Sequence, residues 1–410
     1  MKILKSFLVA WCFYWLLQLI LPVRPMGEAV LLGFVIQLIF VLAVTLGYLA
    51  VERWPDASAD MPGWTIDRRL VLIALILSAF GTAALAYDKI VVQGIDYSAG
   101  LAVAREQWRE LGAEREGAIS SPASALGYLL SSCYIAAIVL FPYANLGRRV
   151  IVYGVSAAFL AFANTVLTGG RSTLILTLLF YIATRILMGR RNRAGGPAMS
   201  RRSRWLTLGL VSISGLYFVF IFLQRADAAG VSVTDYSYGV LQDLGLFPST
   251  WLEDMDPRSM LTSLLNLSVM SISYFSHSFA TTVAIADYGY ENNFATVVFI
   301  TALGLAAKLH IIQTPNTDWF LAGAFPSLPG AFYLQGGWGM LILTGAILGV
   351  LTALSKCWYR SAPSILSLGC LTALMCVLLA SPILFVADVM MFPFVMFQFG
   401  LIYLIARFIK

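Results

Sequence analysis

Residues 29–51, AVLLGFVIQLIFVLAVTLGYLAV, form a run without a charged side chain between Glu28 and Glu52. An α-helix of this length is about 34 Å long, which is enough to cross a hydrocarbon core of roughly 30 Å. Similar runs recur along the whole chain, which is 60% hydrophobic and only 12% charged over its 410 residues. This composition excludes an ordinary soluble domain and indicates a multi-pass membrane protein.

The hydropathy pattern predicts an all-α, polytopic integral membrane protein that forms a single membrane domain over residues 1–410. The first apolar run has no small-residue cleavage site after it, so we expect a retained helix rather than a signal peptide. About ten transmembrane helices are expected, over residues 6–23, 29–51, 70–87, 126–144, 150–168, 172–189, 205–224, 336–355, 364–385 and 389–407.

The distribution of basic residues predicts the orientation of these spans. With the N-terminus in the cytoplasm, 18 of the 27 Lys and Arg residues fall on the inner side. The loop 190–204, RRNRAGGPAMSRRSR, is the strongest marker of that side. By the positive-inside rule we expect both termini in the cytoplasm.

Two outer, periplasmic segments are long enough to carry a functional site. One is 88–125, and the other is 225–335, whose apolar portions 261–286 and 294–306 re-enter the membrane or form a helical hairpin. Irregular backbone at membrane depth persists only where it is buried in protein or lines a cavity. We therefore expect a partly embedded structure on this face.

Arg171 lies in the turn TGGR, between two spans and on the outer side, where cations are fewer. Gly169 and Gly170 leave space beside its guanidinium, which suits bidentate contact with phosphate or pyrophosphate oxygens. The alternative is an interfacial arginine that reaches toward lipid phosphate.

Three further arginines share the outer face. Arg225 follows directly after span 205–224. Arg105 and Arg109 are four residues apart on one face of a helix-like stretch, 105–116. This stretch is either a solvated amphipathic helix or a helix that brings an arginine to the site.

Three stretches resemble the O-antigen polymerases, the Wzy-type oligosaccharide repeat-unit polymerases. VLTGGRSTLILTLLFYIATR, 166–185, is similar to the arginine turn of that family and the helix after it, although Ser172 replaces a glycine that many members carry. YFSHSFATTVAIADYGYENNFATVVFITALG, 274–304, and GAFPSLPGAFYLQGGWGMLILTGAILGV, 323–350, resemble the long outer loop and the glycine-rich entry to the next span. The order of these motifs agrees over roughly residues 80–355.

The resemblance implies a GT-C-like glycosyltransferase that polymerises oligosaccharide units carried on undecaprenyl pyrophosphate. Arg171 and Arg225 would stabilise the departing pyrophosphate, and Arg105, Arg109, Gly169 and Gly170 would contribute to binding the substrate. The implied partners are the lipid-linked oligosaccharide, the bilayer and a polysaccharide chain-length regulator, and no nucleic acid.

The outer loop also supplies candidates for a base and for sugar contacts. His277 and His310 are the two histidines of the chain, and Asp318 is a carboxylate that could orient a sugar hydroxyl. Trp319 and Tyr333 are aromatic residues that could stack on sugar rings. Asp254 and Asp256 form a D-x-D pattern in an acidic turn, which is weak support for a metal, so we expect no cofactor.

Two other functions fit the composition. An O-antigen ligase would carry a histidine before the glycine-rich span, where this chain reads FPSLPGAFYLQGGWG. A transporter or flippase for lipid-linked sugars would show internal repeats with broken helices, and none is visible in the sequence. A structural or partner-binding membrane protein would not need the outer arginines.

Overall fold

The computed structural model is built almost entirely of α-helices. It describes residues 2–52, 64–98, 100–114, 121–168, 171–188, 219–256, 259–292, 295–308, 310–318 and 326–409. The elements, in chain order, are α1 (Lys2–Ile20), β1 (Val23–Pro25), α2 (Val30–Glu52), α3 (Arg68–Tyr87), α4 (Leu101–Glu114), α5 (Pro122–Leu130), α6 (Cys133–Leu140), α7 (Val150–Thr168), α8 (Arg171–Met188), α9 (219–228), α10 (Val233–Asp243), β2 (Leu246–Pro248), α11 (Thr250–Glu253), α12 (Met260–Ser276), α13 (Ser278–Tyr288), α14 (Ile300–Lys308), α15 (Leu328–Ser361), α16 (Ile365–Ala380) and α17 (Met391–Phe408).

Among the described residues, seven helical segments are long and apolar enough to cross a membrane. Each coincides with a predicted span, and they are Lys2–Ile20, Val30–Glu52, Arg68–Val92, Pro122–Tyr143, Val150–Thr168, Leu328–Ser361 and Met391–Phe408. The prediction of an all-α, multi-pass membrane protein is confirmed at this level. Spans 172–189 and 364–385 coincide with shorter apolar helices, Thr173–Met188 and Ile365–Ala380. Most of span 205–224, and the basic loop 190–204, lie outside the described residues.

Two predicted spans differ from the helices in their internal geometry. Span 126–144 is made of two helices, α5 and α6, which are separated at Ser131 and Ser132. The carbonyl of Ser131 accepts hydrogen bonds from Ser78 Oγ and from Asn164 Nδ2, so polar groups on α3 and α7 replace the helical partner at the break. Span 336–355 is part of the longer α15, which is kinked at Gly336 and Gly337.

The kink in α15 depends on Gly337, whose φ of +62° is disfavoured for residues that have a Cβ. The Tyr290 ring also occupies the space that a Cβ at this position would need. The segment before the kink begins at Ser327, whose side chain accepts a hydrogen bond from Gly330 N. The kink separates a short first segment of α15 from the part that corresponds to the predicted span 336–355.

Contacts between the helix ends define two opposite ends of the molecule. Glu52, which ends α2, pairs with Lys356 near the end of α15 at 2.6 Å. At the other end, the Asp287 carboxylate accepts hydrogen bonds from the backbone N–H groups of Glu28 and Ala29, each at 2.8 Å. Strands β1 and β2 also pair there. We call this second end the loop end. It is formed by residues 21–29, 88–100 and 246–254, together with the ends of α7 and α13 at Thr168 and Asp287.

Helices α2 and α15 form the closest helix pair of the core. A Cβ on Gly47 would meet the backbone of Ala346, and a Cβ on Gly349 would meet the backbone of Val44. Gly345 likewise lies against Phe40 of α2. Small residues four apart on each helix allow this approach, which is a common means of helix association in membranes. The pair is a rigid support for the loop end.

The long segment 225–335, predicted to be partly embedded, contains most of the short helices. The predicted apolar portion 261–286 is folded as α12 and α13, which meet at His277. The second portion, 294–306, includes most of α14. The other outer segment, 88–125, holds α4 where a helix-like stretch was expected, and it also contains the start of α5.

Candidate functional site

An open cleft at the loop end brings α4 against the end of α7. It is shallow and is lined by Tyr97, Leu101, Ala104, Arg105, Trp108, Val166, Leu167 and Thr168. The four residues from α4 are spaced i, i+3, i+4 and i+7, so they lie on one face of the helix. Arg105 therefore lies on the face of α4 that lines this cleft. We call this site the corner cleft.

The chain reaches the corner cleft through a π-helical segment, Asp88–Val92, that continues α3. π-Helical turns are rare and occur frequently at functional sites. Here the turn buries Lys89, of which only 1% is exposed, and places its Nζ 4.6 Å from the centre of the Trp108 ring. The ammonium group is attracted to the face of the indole. Trp108 therefore connects a buried cation to the cleft that contains Arg105.

Polar side chains hold Asp88 beside this lysine. Asp88 accepts a hydrogen bond from Ser121 Oγ at 2.6 Å and another from Gln93 Nε2. Gln93 Oε1 in turn lies 3.4 Å from Lys89 Nζ. Ser121 also caps α5, because its side chain accepts a hydrogen bond from Ser124 N. The network fixes the π-helical turn between α3 and α5.

Tyr97 fastens the loop before α4 to the end of α7. Its hydroxyl donates a hydrogen bond of 3.0 Å to the carbonyl of Leu167. Burial disfavours the charged phenolate and raises the pKa of Tyr97 to about 12, so the hydroxyl stays a donor at neutral pH. One wall of the corner cleft is held in place by this bond.

The predicted arginine turn adjoins the corner cleft. Thr168 lines the cleft, and α8 begins at Arg171, so the two Cα atoms lie within about 11 Å because only three peptide units join them. The start of an 18-residue helix also favours bound anions. Gly169 and Gly170, and the side chains of Arg171 and Arg109, lie outside the described residues.

Arg225 lies half-buried on α9, in the region next to the start of α8. Phe222, one turn before Arg225, belongs to an apolar cluster against which Leu174 and Ile175 of α8 also pack. Arg171 is one turn before those two residues. The two arginines that were predicted to act together therefore flank one apolar cluster.

The two histidines occupy different environments. His277 is 2% exposed at the junction of α12 and α13, outside the seven spans, and its Nδ1 lies 2.8 Å from the carbonyl of Tyr274. Burial lowers the pKa of His277 to about 4, which makes it a weak base with a structural bond. His310 is exposed and adopts a left-handed φ of +58° at the end of α14.

No described contact connects Asp318 with Tyr333, one of the two aromatic candidates. Asp318 is exposed, and its backbone N–H donates to Asn316 Oδ1 at 3.0 Å in a local turn. Tyr333 is 5% exposed and packs edge-to-face against Tyr290 and Trp338, so it is a core residue in this conformation. Trp319 lies outside the described residues.

The D-x-D pair is the candidate metal site of the sequence. Asp254 and Asp256 are both exposed at the end of α11. Within the described part of the chain, no three or more His, Cys, Asp or Glu side chains form a group that could hold a metal ion.

Sequence reasoning missed Asp88, Lys89 and Trp108. The signal that could have found them is the adjacent pair Asp88–Lys89 immediately after span 70–87, since ionisable residues at membrane depth are functional candidates. No family model matches the chain, and neither a curated protein nor a solved structure matches it. The class of the protein therefore comes from the fold alone, which is that of a multi-pass helical membrane protein.

Proposed function

We propose that the protein polymerises lipid-linked oligosaccharide repeat units into a surface polysaccharide, at the periplasmic face of a bacterial inner membrane. The observation that carries the proposal is the corner cleft, in which Arg105 faces Thr168 three residues before Arg171. Buried Lys89 adds a further cation behind Trp108. A pyrophosphate leaving group requires such a concentration of positive charge.

In the proposed reaction, a hydroxyl oxygen at the non-reducing end of an incoming unit attacks the anomeric carbon of the growing chain. The new C–O bond forms as the bond from that carbon to pyrophosphate breaks. Undecaprenyl pyrophosphate leaves with the electron pair, and a base takes the hydroxyl proton. Cations fixed where charge develops stabilise the transition state, and each is typically worth 10²- to 10³-fold in rate.

We assign the pyrophosphate to Arg171 and Arg225, with Arg105 on the opposite wall of the corner cleft. Asp318 and His310 remain our candidates for the base, because both are exposed in the outer segment. We do not assign the base to His277, since its Nδ1 is held by the Tyr274 carbonyl. Tyr333 is assigned to packing.

The proposed topology places the loop end in the periplasm and both termini in the cytoplasm, as the excess of basic residues predicts. The glycosyltransferase needs no metal in this scheme, because the arginines neutralise the diphosphate. A chain-length regulator is the protein partner that we propose, through the family resemblance.

Complementation of a host that lacks its own polymerase tests the proposal. Wild type should restore a ladder of surface polysaccharide on a gel, and Arg171→Ala and Arg171→Lys should give single repeat units at equal membrane levels. Arg185, on the last turn of the same helix α8, supplies a matched control. A ladder that survives Arg171→Ala would assign this arginine to lipid binding. Mature polymer transferred to lipid A core, without new polymerisation, would indicate a ligase instead.

A further inference from the structure

Helix α12 has its polar side buried and its apolar side exposed. Met260, Leu261 and Leu264 are 78%, 62% and 51% exposed. Asn266 and Ser273 are both fully buried, at 0%. In water this arrangement would be unfavourable, whereas in a bilayer it places apolar side chains against lipid and polar side chains inside the protein.

Three of the buried polar side chains lie on one side of the helix. Thr262, Asn266 and Ser273 lie within about 40° of one another at 100° per residue, and they extend over about 16 Å of the helix axis. We call these three residues the α12 stripe. Met270, one turn after Asn266, packs with Phe222 of α9, the helix that carries Arg225. The α12 stripe therefore adjoins the region proposed to hold the pyrophosphate.

Among the described residues, the side chains of the α12 stripe have no hydrogen-bond partner. The atoms concerned are Asn266 Nδ2 and Oδ1, Thr262 Oγ1 and Ser273 Oγ. Other serine and threonine residues on helices in this protein donate to the carbonyl four residues earlier, as Ser268 does to Leu264 at 2.8 Å. Thr165, Thr177, Thr184, Thr352 and Thr372 do the same. Ser273 Oγ makes no such bond.

Helix α10 packs against α12 and adds a fourth group of this kind. Thr234 is 2% exposed, and its Oγ1 also has no partner. By contrast, Asn164 on α7 is equally buried but its Nδ2 donates to Thr82 Oγ1, Ser131 O and Leu160 O. Asn164 Nδ2 thus has three acceptors, although its Oδ1 has no partner among the described residues, whereas neither amide atom of Asn266 has one there.

A buried polar group that is left unsatisfied lowers the stability of the folded protein. The α12 stripe and Thr234 thus lower stability unless they bind something. The groups are an amide and three hydroxyls, which carry no charge and can each donate and accept. Their chemistry matches the hydroxyl groups of a sugar and does not match an ion.

We propose that the α12 stripe and Thr234 bind the hydroxyl groups of a saccharide, as the subsite for the sugar chain next to the pyrophosphate corner. This assignment rests on the proposed function, and it names the part of the substrate that the arginines do not hold. Asn266 is the central residue, because its amide can contact two hydroxyls at once.

Thermal melts of the full-length protein in detergent test this subsite. The probes are oligosaccharides of a few repeat units cut from the host's own surface polysaccharide and, separately, sodium pyrophosphate. Asn266→Leu removes an unsatisfied amide at similar volume, so its melting temperature should equal or exceed that of wild type. Its affinity for the oligosaccharides should fall at least tenfold, while the shift caused by pyrophosphate is retained. Asn164→Leu is the matched control and should melt at a lower temperature.

Thr262→Val and Ser273→Ala repeat the test with smaller changes, in case Asn266→Leu does not fold. Each should weaken oligosaccharide binding without lowering the melting temperature. The subsite is overturned if wild type shows no shift with the oligosaccharides, or if the variants bind them as wild type does. It is also overturned if the variants melt below wild type, as a purely structural role requires. Oligosaccharide binding without any pyrophosphate effect would support the subsite and count against the proposed function.

Discussion

Two buried lysines at opposite ends of the molecule illustrate how differently the fold treats the same side chain. Lys356 is paired with Glu52 at 2.6 Å and lies 5.6 Å from the Tyr48 ring. Lys89, at the loop end, lies 4.6 Å from the Trp108 ring and 3.4 Å from Gln93 Oε1. The first lysine locks α2 to α15, whereas the second stands beside a cleft that contains an arginine. One buried lysine thus forms an ion pair between two helices, and the other lies beside the cleft where we propose that an anion binds.

The largest expected effect concerns the end of the molecule that contains Lys356 and Glu52. Lys356→Met removes the ammonium group that pairs with Glu52 at 2.6 Å in a mostly buried ion pair, which should lower the free energy of unfolding by about 3 kcal/mol. Thermal melts in detergent measure the loss, and the double variant with Glu52→Gln should recover most of it. Polymer formed per folded molecule should not change. A specific loss of activity at normal stability would remove the distinction between the two ends.

At the corner cleft we expect the opposite result, a loss of activity without a loss of stability. Arg105→Ala should lower the rate of repeat-unit incorporation by about 10²-fold, because a cation near the leaving group is lost. The melting temperature should stay within a degree or two of wild type. Arg69, exposed at the start of α3 on the opposite end, is the matched control, and Arg69→Ala should be neutral. Equal effects of the two substitutions would indicate only a general need for positive charge.

Trp108 should have an intermediate effect. Trp108→Leu removes the ring that faces Lys89, and a cation–π contact of about 1.4 kcal/mol corresponds to a tenfold loss of rate. Trp108→Phe should retain part of the activity, because a smaller aromatic face remains. The measurement is the rate of repeat-unit incorporation in membranes that contain equal amounts of each protein. Full activity of Trp108→Leu would place Lys89 outside the site.

The smallest effect is expected at Tyr97. Its pKa of about 12 lies above the ordinary value of 10.0, so the neutral hydroxyl is favoured by the folded state. The stability from this group is fully present below pH 10 and is lost as the pH rises toward 12, because the unfolded chain ionises first. Tyr97→Phe should cost about 1 kcal/mol at neutral pH and should remove this dependence. Melts between pH 8 and 12 compare the two proteins.

Hydropathy was sufficient to predict the seven membrane-crossing segments, because a run of apolar residues such as 29–51 has few alternatives in a bilayer. It could not locate the break at Ser131, since the polar groups that stabilise it come from α3 and α7. Hydropathy could not predict the kink at Gly337 either, because the Tyr290 ring that packs there is distant in sequence.

The candidate site was predicted in part. Arg105 and the segment that ends at Thr168 could be associated from charge and topology, and both residues line the corner cleft. The burial of Lys89 could not be predicted, because it depends on α4 folding back across the end of α3. Tyr333 was expected to contact sugar, and it instead packs between Tyr290 and Trp338 in a core that composition does not reveal.

Reconstitution of the purified protein in liposomes with an undecaprenyl-pyrophosphate-linked repeat unit tests the central claim most directly. The products to be measured are lipid-linked oligomers and released undecaprenyl pyrophosphate. We expect wild type to form a ladder and to release one lipid pyrophosphate for each new glycosidic bond. We expect Arg105→Ala to slow both together. Movement of the intact repeat unit across the bilayer, with no oligomer and no released lipid pyrophosphate, would contradict polymerisation and would identify a transporter.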